Sequence, residues 1–108
     1  MAKYVLLVQS STKEGRDAEY EAWYDAHHLS DMCAIPGVSN GRRLVSTPVA
    51  FPEAGKRHLG IFDVETDDLG AFMAEMNRIR VSGQQSSTDS LDRESIVLWI
   101  YEDKTPEG

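Results

Sequence analysis

The chain has 108 residues, 18 acidic against 11 basic side chains, and a formal net charge of −7. That balance excludes a nucleic-acid partner, because phosphate binding needs a concentrated basic face. A single cysteine, Cys33, excludes an intramolecular disulfide framework and a multi-cysteine zinc site.

The length suits one domain, residues 1–108, built round one modest core. "KYVLLVQS" (3–10) is a β-branched and aliphatic run and predicts the first strand. Its apolar stretch is too short for a signal peptide or a membrane span, so a cytoplasmic location with no membrane partner is expected. From Asp17 to Met32, Tyr20, Trp23, Tyr24, His27 and Asp31 recur at three- and four-residue spacing, which predicts an amphipathic helix. "IPGV" (35–38) stops it, since the residue before proline avoids helical geometry and glycine permits the turn.

A second strand is expected at 38–46, a hairpin-like connection at 47–55 and a third strand at 57–65. "TDD" (66–68) supplies an N-cap for a second helix, whose apolar stripe is Leu69, Phe72, Met73, Met76 and Ile79. The polar run 82–92 predicts a mobile connection, either a plain surface loop or a lid over the pocket mouth, "ESIVLWIYE" (94–102) the last strand, and 103–108 a frayed tail.

The order β-α-β-β-α-β is that of the α+β ferredoxin-like folds: a four-stranded antiparallel sheet with two helices on one face. Yet "YVLLV" (4–8) and "IVLWIY" (96–101) are apolar at both odd and even positions, so both sheet faces need a cover. A second copy of the sheet is the simplest one, and a homodimer is expected. Several hundred Å2 buried per subunit is worth on the order of ten kcal/mol before association costs.

"EAWYDAHHLSDMCAIPGVSNGRRL" (21–44) resembles the motif of dimeric α/β-barrel proteins related to the EthD-like and muconolactone-isomerase-like groups. Trp23, Tyr24, Asp25, His28, Asp31, Pro36, Gly37 and Arg43 carry the likeness, and Ser30 stands where proline is usual. The resemblance implies two ferredoxin-like subunits packed sheet to sheet, each with a small-molecule pocket between sheet and helices. It is specific for architecture and weak for reaction, since such proteins include isomerases, cyclases, oxygenases, haem-binding enzymes and members without established activity.

His28 is the leading acid/base candidate, because an imidazole exchanges protons near neutrality. Helix direction places Tyr4, Asp63 and Tyr101 on the rim nearest to it, with Asp31 one turn along, so that a carboxylate orients the imidazole and a tyrosine polarises a carbonyl. Arg43 suits a substrate carboxylate or a surface ion pair. Trp23, Tyr24, Phe72 and Trp99 are the expected pocket lining, Trp23 most deeply packed and His28 off the apolar stripe. His27 reads as a boundary or core residue, His58 as remote from His28, and Cys33 as a buried inert thiol.

Asp25 and His28 supply only two ligands where a catalytic metal needs three, so no metal is expected. The resemblance implies that a haem iron would take its axial histidine from the second helix, which has none from Leu69 to Arg80, so no cofactor is expected. These residues suit a cofactor-independent isomerase, cyclase or lactone-type enzyme acting on a small cyclic carbonyl compound. The alternatives are a non-enzymatic binder or stress protein of the same fold, and a cofactor-independent monooxygenase; whether the chain is an enzyme at all stays open at this point.

Overall fold

The computed structural model describes residues 2–47, 49 and 57–106. Four strands, β1 (Ala2–Thr12), β2 (Val38–Val45), β3 (His58–Thr66) and β4 (Leu91–Glu102), form one antiparallel sheet in the order β2-β3-β1-β4. Between β1 and β2 the chain is helical from Asp17 to Cys33: α1 (Asp17–Trp23), a π-helical turn (Tyr24–His28) and α2 (Leu29–Cys33). Helix α3 (Leu69–Ser82) joins β3 to β4. The βαββαβ arrangement read from the sequence is the one observed. Most of the expected 47–55 connection lies outside the described residues.

Strand alternation decides what each sheet face does. Leu6 pairs with Phe62 on one side and Ile100 on the other, and Leu6 and Phe62 are fully buried beneath the helices. His58, Gly60, Phe62 and Val64, all buried, give β3 one unbroken helix-facing row. The opposite face carries Val5, Leu7, Leu59, Ile61 and Val97, all half-buried, with exposed Leu44, Trp99 and Tyr101. This apolar outer face is the one that the two-sided hydrophobicity of β1 and β4 anticipated.

Local signals account for the helix ends. The Asp68 carboxylate accepts the Ala71 amide at 3.0 Å, capping α3 where the sequence placed a cap. Gly83 ends that helix at φ 78°, a left-handed conformation that favours glycine. Phe72 and Ile79 are buried, with Leu69, Met73 and Met76 packed against the core, so the expected stripe of α3 holds. After α2, Gly37 turns the chain into β2 at φ 101°, and a Cβ there would press on the Glu65 carbonyl and the Phe72 ring, both at 3.2 Å.

The first helix differs from the expected stripe. Its inward row is Tyr20, Tyr24, His28 and Met32, spaced every fourth residue. A regular α-helix advances about 100° per residue, so a strict four-residue spacing drifts about 40° per step and leaves the sheet after three steps. The π turn, where the Leu29 amide donates to the Tyr24 carbonyl five residues back, is underwound and brings the row back into line. His27 is consequently exposed rather than at the core boundary, and Cys33 is an exposed thiol, not a buried one.

Candidate functional site

The π turn places three rings together. His28 stacks on Trp23 with centroids 4.7 Å apart and planes 21° apart, and meets Tyr24 edge-on, also at 4.7 Å. Phe62 of β3 lies beyond, 6.5 Å from His28. Tyr24 is the deepest of the three at 2% exposed, whereas Trp23 is only partly buried. The expectation that Trp23 packs most deeply is thus reversed, and His28 lies within the packed row. Tyr24 reaches the sheet because Gly60 has no side chain; a Cβ there would collide with the tyrosine hydroxyl.

Two polar atoms in this cluster are buried without a hydrogen-bond partner: His28 Nδ1 and the Tyr24 hydroxyl. Buried polar groups are ordinarily satisfied, so each such atom calls for a physical reason. Burial pushes the His28 imidazole down to about 4, with the Asp31 charge opposing the shift, and burial raises the Tyr24 phenol. Both groups are neutral at pH 7. The sign for stability follows: between about 6.5 and 4 the unfolded chain binds a proton at His28 that the folded chain refuses. Stability should therefore fall as pH drops through that window, and His28→Phe should flatten the slope. Urea melts at pH 7 and pH 5 on both proteins provide the check, and parallel slopes would contradict it.

Asp31 is committed elsewhere. Its carboxylate accepts the Ser86 amide at 2.9 Å and its carbonyl accepts Gln85 Nε2 at 3.1 Å. The Trp23 indole N–H donates to Ser86 Oγ at 3.1 Å. The connection after α3 is thereby tied along the first helix. The sequence offered 82–92 as a plain loop or a lid, but no expectation reached these partners of Gln85 and Ser86.

The remaining candidates are dispersed. Arg43 is held by Asp25 through two bonds of 2.8 and 3.0 Å, and by Glu21 at 3.3 Å. Asp25 is correspondingly held below its usual carboxylate range by the guanidinium. Tyr4 packs against the core from β1, while Asp63 points to the opposite sheet face and is bonded by Asn40 at 3.4 Å. Both line a rim cleft of about 190 Å3 with Lys3, Ser39, Glu65 and Asp103. Tyr101 and Trp99 stack on each other at 6.4 Å on the outer face. The sheet thus separates Asp63, Tyr101 and Trp99 from His28, correcting the expected neighbourhood. Phe72 is a core residue under Gly37. Expected topology located strand ends correctly but not which face each side chain takes.

His58, as anticipated, belongs to another group: its Nε2 lies 2.8 Å from Asp17 Oδ1, and its ring meets Tyr20 at 4.9 Å. Tyr20 in turn shares a 3.0 Å hydrogen bond with Ser10. The hydrogen bonds from His58 and Thr12 hold the Asp17 carboxyl below its usual range.

No protein-family profile and no curated protein sequence matches the chain. Solved structures do. The heme-degrader MhuD of Mycobacterium tuberculosis, with two hemes in its active site, superposes with a TM-score of 0.67 at 19% identity, covering 97% of this chain and 99% of that one. A candidate monooxygenase from Shewanella loihica gives 0.60 at 11% identity over 98% and 99% of the two chains. An EthD-family protein from Bacillus halodurans gives 0.57 at 18% identity over 95% and 99%. These likenesses show the fold. It is the fold of an EthD-family protein, the group whose motif residues 21–44 resemble.

Since one neighbour holds haem, the residues here can be tested for it. The space between the first helix and the sheet is filled by Tyr20, Tyr24 and Phe62. The rim cleft and a second of about 220 Å3, lined by Asp31, Ala34, Ile35, Ile79, Gln84 and Gln85, are each too small for a porphyrin and offer no histidine. The described residues do not fit a haem. No helix among them is long and apolar enough to cross a membrane.

Proposed function

We propose that the chain binds a small, partly apolar carbonyl compound against His28 in the place where Trp23 now stacks, the indole swinging aside, and that His28 moves a proton on it. One observation carries this reading: His28 Nδ1 and the Tyr24 hydroxyl are both buried and unpartnered within the same aromatic cluster. The ligand's carbonyl oxygen would accept from the Tyr24 hydroxyl, an acidic C–H beside it would face the unprotonated Nδ1, and the imidazole face now covered by Trp23 suits a flat ring. Neutral His28 acts as the base, and the Tyr24 hydroxyl donates to the carbonyl oxygen as charge develops there. Isomerisation, cyclisation and lactone chemistry all need such a step. Asp31 acts on the imidazole through its charge, opposing the effect of burial.

The test is deuterium exchange into enolisable cyclic ketones in D2O, followed by NMR beside buffer alone. Catalysed exchange that disappears in His28→Ala supports the reading. A panel showing neither exchange nor binding by ligand-observed NMR would sink it. The low proton affinity of His28 favours a second reading, a non-enzymatic binder that uses the imidazole only as a hydrogen-bond partner; binding without exchange would select it. Oxygenation, for which the Shewanella neighbour is a candidate, would instead show as O2 consumption with quinol-type substrates.

The outer sheet face supports a homodimer. Trp99 is 58% exposed, Tyr101 52% and Leu44 37%, on a face otherwise lined by half-buried aliphatics. A patch of this kind is an interface or an aggregation liability. Sedimentation in dilute buffer should give roughly twice the 12.1 kDa chain mass, and Trp99→Asp should shift the protein toward monomer. A soluble wild-type monomer would refute the interface.

A further inference from the structure

We propose that the segment between Gly83 and Ser90 is a latched strap that must lift before a ligand reaches Nδ1 of His28, the buried nitrogen of a half-buried ring. Two fixed points bound it. At one end Gly83 takes φ 78°, which makes it a ready pivot. At the other, Ser90 is fully buried and its carbonyl accepts the Lys13 amide at 2.8 Å. Between them the strap runs along the first helix from its C-terminal to its N-terminal end. Ser86 and Gln85 hold Asp31, Ser86 also holds the Trp23 indole, and the Asp89 carbonyl accepts Arg16 Nη1 at 3.2 Å.

The latch and the candidate seat share a residue. Trp23, whose indole N–H is fixed by Ser86, lays its ring against one face of His28. The other rings against His28, Tyr24 and Phe62, belong to the core and cannot move without unfolding it. Trp23 is only partly buried, and the strap over it is polar and mostly exposed. A segment held by hydrogen bonds to solvent-facing groups, with little apolar burial, opens at lower free energy than the core beneath it. The cleft lined by Asp31, Gln84 and Gln85 lies at the pivot end, where the first separation would widen it.

The strap's role as a gate rests on the ligand seat proposed above, but its opening can be measured without any ligand. Diethyl pyrocarbonate acylates the neutral imidazole, and the rate at each histidine is read from peptide masses. A His27→Asn background removes the exposed neighbour. Burial and the opposing Asp31 charge leave His28 neutral at pH 7, and removing Asp31 keeps it so; a rate change then reports access rather than protonation. His58, 1% exposed and outside the strap's contacts, is the internal control.

Asp31→Ala should raise the His28 rate about fivefold or more, the factor that one net hydrogen bond of local stability is worth, with His58 unchanged. Ser86→Ala, on an exposed residue that cannot threaten the fold, should raise it in the same direction. Unchanged His28 rates in both variants overturn the strap. So does an equal rise at His28 and His58, which would mean that these bonds belong to the global fold. Faster acylation in a protein that binds no carbonyl ligand would leave the strap standing and remove the proposed function instead.

Discussion

Replacing Tyr24 by Ala is expected to cost about 3–5 kcal/mol, the usual range for deleting a buried aromatic side chain. Against a total of about 5–15 kcal/mol for a domain of this kind, that threatens folding at 37 °C. The ring is 2% exposed, sits over the bare backbone of Gly60, and packs against both Tyr20 and His28. No small movement of the sheet can fill the space that it leaves. Tyr24→Phe should behave oppositely. The hydroxyl has no partner, so its removal relieves an unsatisfied buried group and should leave stability equal or slightly higher. Trp23→Ala should cost less than Tyr24→Ala, since the indole is only partly buried and one of its bonds is to an exposed serine. Urea denaturation of the three variants orders them. A Tyr24→Phe protein as damaged as Tyr24→Ala would mean that the hydroxyl has a structural partner, and that its isolation is not a vacancy for ligand.

The contrast between Trp23 and Tyr24 marks where the sequence stops being legible. Strands and helices are readable because each is a local statement. β-branched runs, an Asp68 cap and a Pro-Gly stop act within a few residues, and the observed elements begin and end close to where those signals fall. The inward row of the first helix is not local in that sense. It depends on a π turn, and five-residue hydrogen bonding has no composition of its own. The four-residue spacing of Tyr20, Tyr24, His28 and Met32 was the available signal. A row that should drift off the sheet, yet keeps large side chains at every step, implies an underwound turn.

Gly60 and Gly41, glycines inside strands, were the complementary signal. A Cβ on Gly41 would lie 2.8 Å from the Phe62 ring, just as one on Gly60 would meet Tyr24. Bare backbone in mid-strand marks where a large side chain approaches closely. A lid at 82–92 was among the sequence's alternatives, but the strap's anchor points were out of reach for another reason. Asp31 and Ser86 are separated by 55 positions, and neither has a neighbour in sequence that predicts the other. Likewise, the topology placed Asp63 at the correct end of β3, but the side-chain period of two sent its carboxylate through to the far face.

His28→Ala is expected to leave the fold standing and to lower proton-transfer activity by about 10²–10⁴-fold, the span that general base catalysis typically contributes. Truncation removes a half-buried ring together with the cost of its unpartnered nitrogen, so the net effect on stability is smaller than for Tyr24. The pH profile discriminates further. A base must be unprotonated to act, and burial holds the free protein's His28 down to about 4. The acid limb of kcat/KM should accordingly fall near pH 4, with a plateau through neutrality, because that ratio reports the free enzyme. A limb near 6.5, the unperturbed value of the imidazole, would show that the ring is solvated in the free protein. The strap would then stand open before any substrate arrives. Full activity in His28→Ala would remove the histidine from the reaction. Since the unpartnered Tyr24 hydroxyl would remain in place, Tyr24→Phe in the same assay then decides whether the cluster binds ligand at all.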